Sequence, residues 1–400
     1  MTDPSDPPVV RIDPPEMLRQ GAPAAVLAAL PGARAVGGAV RDALAGRPVH
    51  DVDVAAPLPP DAIAARLREA GLKVFETGLQ HGTVTAVLNR EPVEVTSLRR
   101  DVLTDGRHAT VAWTEDWRED AARRDFTINA LSMDGEGRIW DYFGGREDLA
   151  AGLVRFVGDP ATRLAEDYLR LLRFFRFHAR YGRGAPDAAA LTAIRAAIPG
   201  LARLSAERVW MELKRLLEGT DPAPTLELMR ESGVLQAVLP EAGCVAAVAR
   251  LGAPPDPVLR LAVLLNGAGG AEHLIRRLRL SGDEAKRLRT LLAVPAPAPE
   301  TSGDDLRRLL ADVAPPIATD LAWAAEAWDG RDRAALRRRI ADTPAPVFPL
   351  QGRDALELGI SPGPAMGRAL AEARRWWWEG GCTASASACR TMLRHAAGLQ

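Results

Sequence analysis

Residues 35–56 read AVGGAVRDALAGRPVHDVDVAA, and the fold of the first half of the chain follows from how this stretch divides. Apolar Ala33–Val36 predicts a strand, Gly37-Gly38 a turn, Ala39–Ala45 a short helix and Val49–Ala55 a second strand. Side chains two apart in a strand point to the same side, so the second strand would set Asp51 and Asp53 next to each other. Two carboxylates held that close repel unless a cation sits between them. Oxygen-only ligation suits Mg²⁺, which takes one or two carboxylates plus substrate phosphates. Upstream, Gly37 and Gly38 let the backbone approach a ligand, and the helix they open directs free N–H groups outward, which suits a triphosphate.

Working outward, apolar residues at helical spacing predict a helix over Pro59–Ala70, stopped by Gly71, and another over Ala24–Leu30. Lys73–Glu76, Thr83–Leu88 and Pro92–Leu98 are rich in β-branched residues and predict three further strands of a small mixed sheet. Within the last, alternation sets Glu94 opposite Val93 and Val95, as a solvent-facing strand residue would be. Residues 1–22, rich in proline and acid, read as a mobile leader. Arg99–Trp113 reads as a polar, irregular loop carrying Arg100, Asp101, Asp105, Gly106, Arg107 and His108.

Asp159–Tyr181 predicts one strong helix in which Glu166, Asp167, Arg170, Arg173 and Arg176 interrupt a run of leucine and phenylalanine. Arginines in so apolar a helix need partners. At about 100° per residue, Asp167, Arg170 and Arg173 spread over about 120° of its surface, with Arg176 half a turn from Asp167. Asp167 and Arg170 would then share one small target with Arg173 at its flank, and Arg176 would meet phosphate or another element.

Taken together, GGAVRD followed by DVD, Arg123-Arg124-Asp125-Phe126-Thr127 with Asn129-Ala130, and Glu166-Asp167-Tyr168-Leu169-Arg170 with Arg173 resemble, in order, the motifs of the class II tRNA nucleotidyltransferase and bacterial poly(A) polymerase family. Ile139-Trp140-Asp141, Phe143-Gly144-Gly145 and Leu204–Leu213 continue the likeness, which covers residues 33 to about 217. The resemblance implies an α+β fold: a small mixed-sheet catalytic head over residues 23–150, a helical neck over 151–220, and a helical body and tail over 221–400 that binds tRNA. It implies addition of C, C and A to tRNA from CTP and ATP, with Asp51 and Asp53 binding two Mg²⁺ ions and Glu94 orienting or polarising the attacking hydroxyl. Gly38, Arg41 and Arg124 would hold phosphates, Asp125 and Asn129 would fix the pocket and distinguish ribose, and Asp167, Arg170, Arg173 and Arg176 would meet the nucleotide. Glu207 and Arg208 would brace the base-reading helix, Asp141 would be structural, and the loop after Arg99 would take part in the change from C to A addition. The family's pattern has proline after Arg-His, whereas this chain has Ala109.

The chemistry agrees with a protein template. A carboxylate accepts from the exocyclic amine of cytosine or adenine while a guanidinium donates to the neighbouring ring nitrogen; uracil and guanine reverse both groups. Alternatives at this point are a poly(A) polymerase, an enzyme adding only CC or only A, a silent RNA-binding scaffold, and a small-molecule nucleotidyltransferase. The intact acid pair argues against the scaffold. The long second half argues against the small-molecule enzyme.

Four hundred residues with 47% hydrophobic content imply more than one core. Lys73, Lys214 and Lys286 are the only lysines and the net charge is −1, so any basic face is made of arginine and balanced elsewhere. Cys244, Cys382 and Cys389 lack metal-ligand spacing and cannot all pair, which fits a reducing compartment, and neither a signal segment nor a membrane span is read; the expectation is a cytoplasmic protein. After Pro222 the pattern is helical, broken by glycine and proline. Arginines 276–277, 337–339 and 374–375 there read as ordinary solvated residues, and Trp376–Trp378 as tail packing.

Overall fold

The computed structural model describes residues 6–78, 82–104, 109–266 and 271–399. Two compact units emerge, one of residues 1–216 with 227–238 and one of 217–226 with 239–400. The expected head and neck thus share the first unit.

The first unit is built on an eight-stranded mixed sheet. Its strands are β1 (Val10–Arg11), β2 (Arg34–Val36), β3 (Asp53–Ala56), β4 (Lys73–Gly78), β5 (Thr83–Leu88), β6 (Glu91–Ser97), β9 (Leu131–Met133) and β10 (Arg138–Asp141), in the order β1-β10-β9-β2-β3-β6-β5-β4. Only β3 and β6 are parallel, with Val54 opposite Val95. Val54, Val93, Val95, Val84 and Ala86 turn inward onto Ile63 and Leu67 of the Pro60–Glu69 helix and Val26 of the Gly21–Ala29 helix. That buried face fixes the register, because a one-residue slip would send every inward side chain to solvent. An aromatic cluster of Phe126, Phe156, Phe174 and Phe177, with centroids 4.9–6.3 Å apart, binds the segment after Arg124 to the Leu169–Tyr181 helix.

Four expectations change. The second strand begins at Asp53, where pairing with Val36 starts, so Asp51 precedes it; exposure still alternates from Asp51 to Val54 and keeps both acids on one side. The leader is in part structured: Val9 and Ile12 donate backbone hydrogen bonds to Ile139 and Gly137, and Trp140 Nε1 donates to the Asp6 carbonyl at 2.8 Å. Apolar Val9, Val10 and Ile12 extend the sheet despite the surrounding prolines. The stretch after Arg99 is not irregular but an antiparallel ribbon of β7 (Arg99–Thr104) and β8 (Ala109–Trp113), with a register shift between Asp101 and Leu103. Its expected Asp105, Gly106, Arg107 and His108 lie outside the described residues. Finally, Asp159–Tyr181 is two helices, Pro160–Glu166 and Leu169–Tyr181, separated by Asp167 in extended conformation (φ −153°, ψ 106°). Asp167 Oδ1 accepts from the Leu169 N–H at 3.0 Å, a local bond that competes with helix propagation.

The second unit is helical. Val258–Leu265 is buried throughout, and Arg260 within it donates to the carbonyls of Leu217, Gly219 and Thr220. In its tail Trp377 packs inside against Phe348, while Trp376 and Trp378 are exposed. Arg277, Arg337 and Arg374 pair with Glu241, Glu326 and Asp312. Among the described residues no helix is long and apolar enough to cross a membrane.

Candidate active site

The turn that opens the site requires glycine for two reasons. Gly37 has φ +65°, and a Cβ there would stand 3.2 Å from Arg124 Nη1. The Gly38–Leu44 helix follows and buries Arg41. Arg41 Nη1 donates to Asn129 Oδ1 at 2.6 Å, and Nε and Nη2 both lie 3.2 Å from Asp42 Oδ1.

Parallel pairing of β3 with β6 sets Asp53 alongside Glu94, one residue before the Val54–Val95 pair. Although Asp53 is exposed, protein atoms crowd one side of its carboxyl, and this partial desolvation first of all raises it above the usual carboxylate range; the charges of Glu94 and Asp51 add to this and Arg124 opposes it. Among the described residues no hydrogen-bond donor serves Asp51, Asp53 or Glu94, and no trio of acidic, histidine or cysteine side chains is gathered for a metal ion. Asp51, Asp53 and Glu94 offer carboxylate oxygens alone, a donor set of the kind a hard cation such as magnesium takes.

The next segment supplies paired arginines. Asp120, nearly fully buried at the end of the Trp117–Ala122 helix, accepts from Arg123 Nε at 3.0 Å and Arg124 Nη2 at 3.1 Å. Burial pushes its carboxyl up, but Arg124 and Arg123 outweigh that and hold it below the ordinary range. Asp125 behaves alike: burial is opposed by Arg173, whose Nε donates at 2.7 Å, by Asn129 Nδ2 at 2.9 Å and by the Phe126 N–H, leaving it lowered. Asn129 therefore bridges Asp125 and Arg41.

At the helix break, Asp167 Oδ2 accepts from Arg208 Nη2 at 2.7 Å. The bracing expected of Arg208 is thus observed on Asp167 itself. Arg170 pairs with Glu166 and donates to the Arg163 carbonyl at 2.8 Å. Arg176, expected with the nucleotide, turns instead to Glu212 Oε2 at 2.6 Å, the "other element" open to it. Glu212 is 2% exposed in the apolar face of the Ala206–Leu217 helix and was not foreseen. Its signal was an acid among Trp210, Leu213 and Leu216. Asp141 accepts from the N–H groups of Phe143, Gly145 and Arg146, the structural part expected of it.

One cavity of about 390 Å³ gathers Gly38, Arg41, Asp53, Arg124, Asp125, Asn129, Asp167, Arg170 and Arg173. Asp51, Glu94 and Arg176 are outside its lining, and Gly37, Arg123, Phe177 and Arg208 join it. A larger hollow of about 1660 Å³ in the same unit contains none of these residues; its Arg34 is already stacked on Trp140 and bonded to Tyr142 and Asp6.

Residues 33–155 match the family model described as Poly A polymerase head domain, and residues 186–244 match that described as Probable RNA and SrmB- binding site of polymerase A. CCA tRNA nucleotidyltransferase 1, mitochondrial, of Danio rerio is 38% identical over 360 residues, 86% of this chain and 83% of that protein. The Homo sapiens protein of the same name is 35% identical over 370 residues, 87% and 83% of the two chains. The solved Bacillus stearothermophilus CCA-adding enzyme in complex with CTP superposes with a TM-score of 0.75 at 30% identity, covering 91% of this chain and 93% of that one. By sequence over most of its length and by fold, the chain belongs to the CCA-adding tRNA nucleotidyltransferase family.

Proposed function

We propose that this protein adds C, C and A to the 3′ end of tRNA from CTP and ATP. One observation carries the reading: a single cavity is lined both by Asp53, a group suited to nucleotidyl transfer, and by Asp167, Arg170 and Arg173, groups suited to base selection. The tRNA 3′-hydroxyl oxygen attacks the α-phosphorus and gives up its proton to solvent, the bond to the oxygen bridging to the β-phosphorus breaks, and pyrophosphate leaves in line. Asp51 and Asp53 would hold Mg²⁺, which when bound makes the hydroxyl more acidic and neutralises the leaving group. Arg41 and Arg124 hold triphosphate oxygens, with Gly38 leaving the backbone open between them. Glu94, beside Asp53, orients the attacking hydroxyl. Asp125 and Asn129 keep Arg41 and Arg173 in place, which is the part of their expected role that the hydrogen bonds support.

Asp167 accepts from the cytosine or adenine amine, Arg170 donates to the ring nitrogen, and Arg173 flanks the base. Each matched contact is worth roughly 1–3 kcal/mol of discrimination against uracil or guanine. The test offers each labelled nucleoside triphosphate to tRNA that ends before CCA. Successive C, C and A addition that then stops is expected; unlimited A addition, or none of C, overturns the reading. Cytoplasmic residence is proposed from cysteine usage, and cell fractionation decides between that and the mitochondrial location in the names of the vertebrate relatives.

A further inference from the structure

The Leu169–Tyr181 helix turns Arg173, Phe177 and Tyr181, spaced four apart, to one face. Arg173 binds Asp125, which accepts from Asn129, which in turn accepts from Arg41. Arg41 reaches Asp42, and the Tyr181 hydroxyl donates to the same Asp42 oxygen. The chain of bonds therefore leaves the helix at residue 173 and returns to it at residue 181. Inside this ring the Arg41 guanidinium lies 5.1 Å from the centre of the Phe177 ring and 4.5 Å from that of Tyr181. Three of the five N–H groups of Arg41 are taken by Asp42 and Asn129, which leaves two for a ligand in the cavity.

We propose that Tyr181 and Asp42 are positioning residues for the triphosphate: they fix the Arg41 guanidinium at the cavity wall, so the helix that reads the base also sets where phosphate binds. This rests on the reading of Arg41 as a phosphate ligand. Burial, and then the bond to Asp42, raise the Tyr181 hydroxyl above the usual phenol range, so it keeps the proton it donates at neutral pH. Asp42 is further held by Arg180 at 3.5 Å, which leaves its carboxylate committed to the ring of contacts rather than to solvent.

The test is calorimetric titration of the full chain with inorganic tripolyphosphate, with cytidine and with CTP, for the wild type, Tyr181→Phe, Asp42→Asn and Arg41→Ala, each first confirmed folded by its melting curve. Tyr181→Phe and Asp42→Asn weaken tripolyphosphate and CTP by a common factor of roughly ten, the size of a lost hydrogen bond to a charged group, and leave cytidine unchanged. A change that merely loosened the helix would weaken cytidine as well, and that result overturns the proposal. If Arg41→Ala removes tripolyphosphate binding while the other two variants bind like the wild type, the positioning claim fails alone. If Arg41→Ala binds tripolyphosphate normally, the phosphate reading of Arg41 fails and takes the proposal with it.

Discussion

Arg173 and Asp125, 48 residues apart, are joined by a 2.7 Å hydrogen bond from Nε to Oδ2 that fastens the base-side helix to the segment following Arg124. Asp125 is buried and its other oxygen is used by Phe126 and Asn129, so its loss strands the Phe126 N–H and the Asn129 Nδ2 donors. Asp125→Ala should therefore lower stability by about 2 kcal/mol or more, the cost of stranding buried donors. Chemical denaturation measures it; a loss within experimental scatter would show that Arg173 finds another partner.

The same carboxylate should make stability depend on acid. Its folded value lies below the ordinary one, so the unfolded chain binds the proton first. Its contribution is complete above the unfolded value of about 4 and disappears as pH falls through the lower folded value. Asp120 has the same sign. The stability gap between the wild type and Asp125→Asn is thus widest at neutral pH and narrows in the acid range. Urea midpoints at a series of pH values would reveal it, and a gap constant down to pH below about 3 would contradict the assignment.

What could be read in advance follows the range of the interactions. Thr83–Leu88 is found where β-branched residues predicted it, because strand propensity and burial are local signals. That the arginines at 170 and 173 need partners was legible, because charge inside an apolar helix demands one, and Glu166 and Asp125 meet that need. The break at Asp167 was not, since periodicity cannot register one carboxylate capturing the Leu169 N–H. Nor were the bonds of Asp167 to Arg208 or Arg176 to Glu212, which span 41 and 36 residues and carry no spacing rule. The β7–β8 ribbon was missed because its polar residues break the alternation by which a half-buried strand is recognised.

Asp167 now has two separable duties. Its Oδ1 caps the Leu169 helix and its Oδ2 meets Arg208, while the side chain lines the cavity. Asp167→Asn retains a cap oxygen but exchanges an acceptor for a donor where the base amine should bind. The CTP-over-UTP preference should fall about tenfold or more; both variants lose the Arg208 pair, and Asp167→Ala should add about 1 kcal/mol of destabilisation beyond Asp167→Asn from the missing cap. Competition assays with paired nucleotides report the preference. An Asn variant that still rejects UTP as the wild type does would remove Asp167 from base selection.

Glu212 sets the last test, because it holds Arg176 at 2.6 Å, has Arg173 at 3.8 Å and is itself only 2% exposed. Burial lowers the Arg176 guanidinium even with this partner, a sign of how much desolvation the pair absorbs. Removing the acid alone leaves a buried cation uncompensated, at a cost of roughly 3–5 kcal/mol, while replacing both members by apolar residues of similar volume costs far less. Glu212→Leu should be severely destabilising and Arg176→Met less so, because Glu212 keeps Arg173 at 3.8 Å and Arg215 at 4.0 Å once Arg176 is gone. The double variant should be more stable than Glu212→Leu alone, giving a coupling of about 1–3 kcal/mol in a double-mutant cycle. Because Arg176 lies outside the cavity lining, the double variant should also keep its preference for CTP over UTP. Additive losses would mean that the two residues act independently, and a lost preference would return Arg176 to the nucleotide.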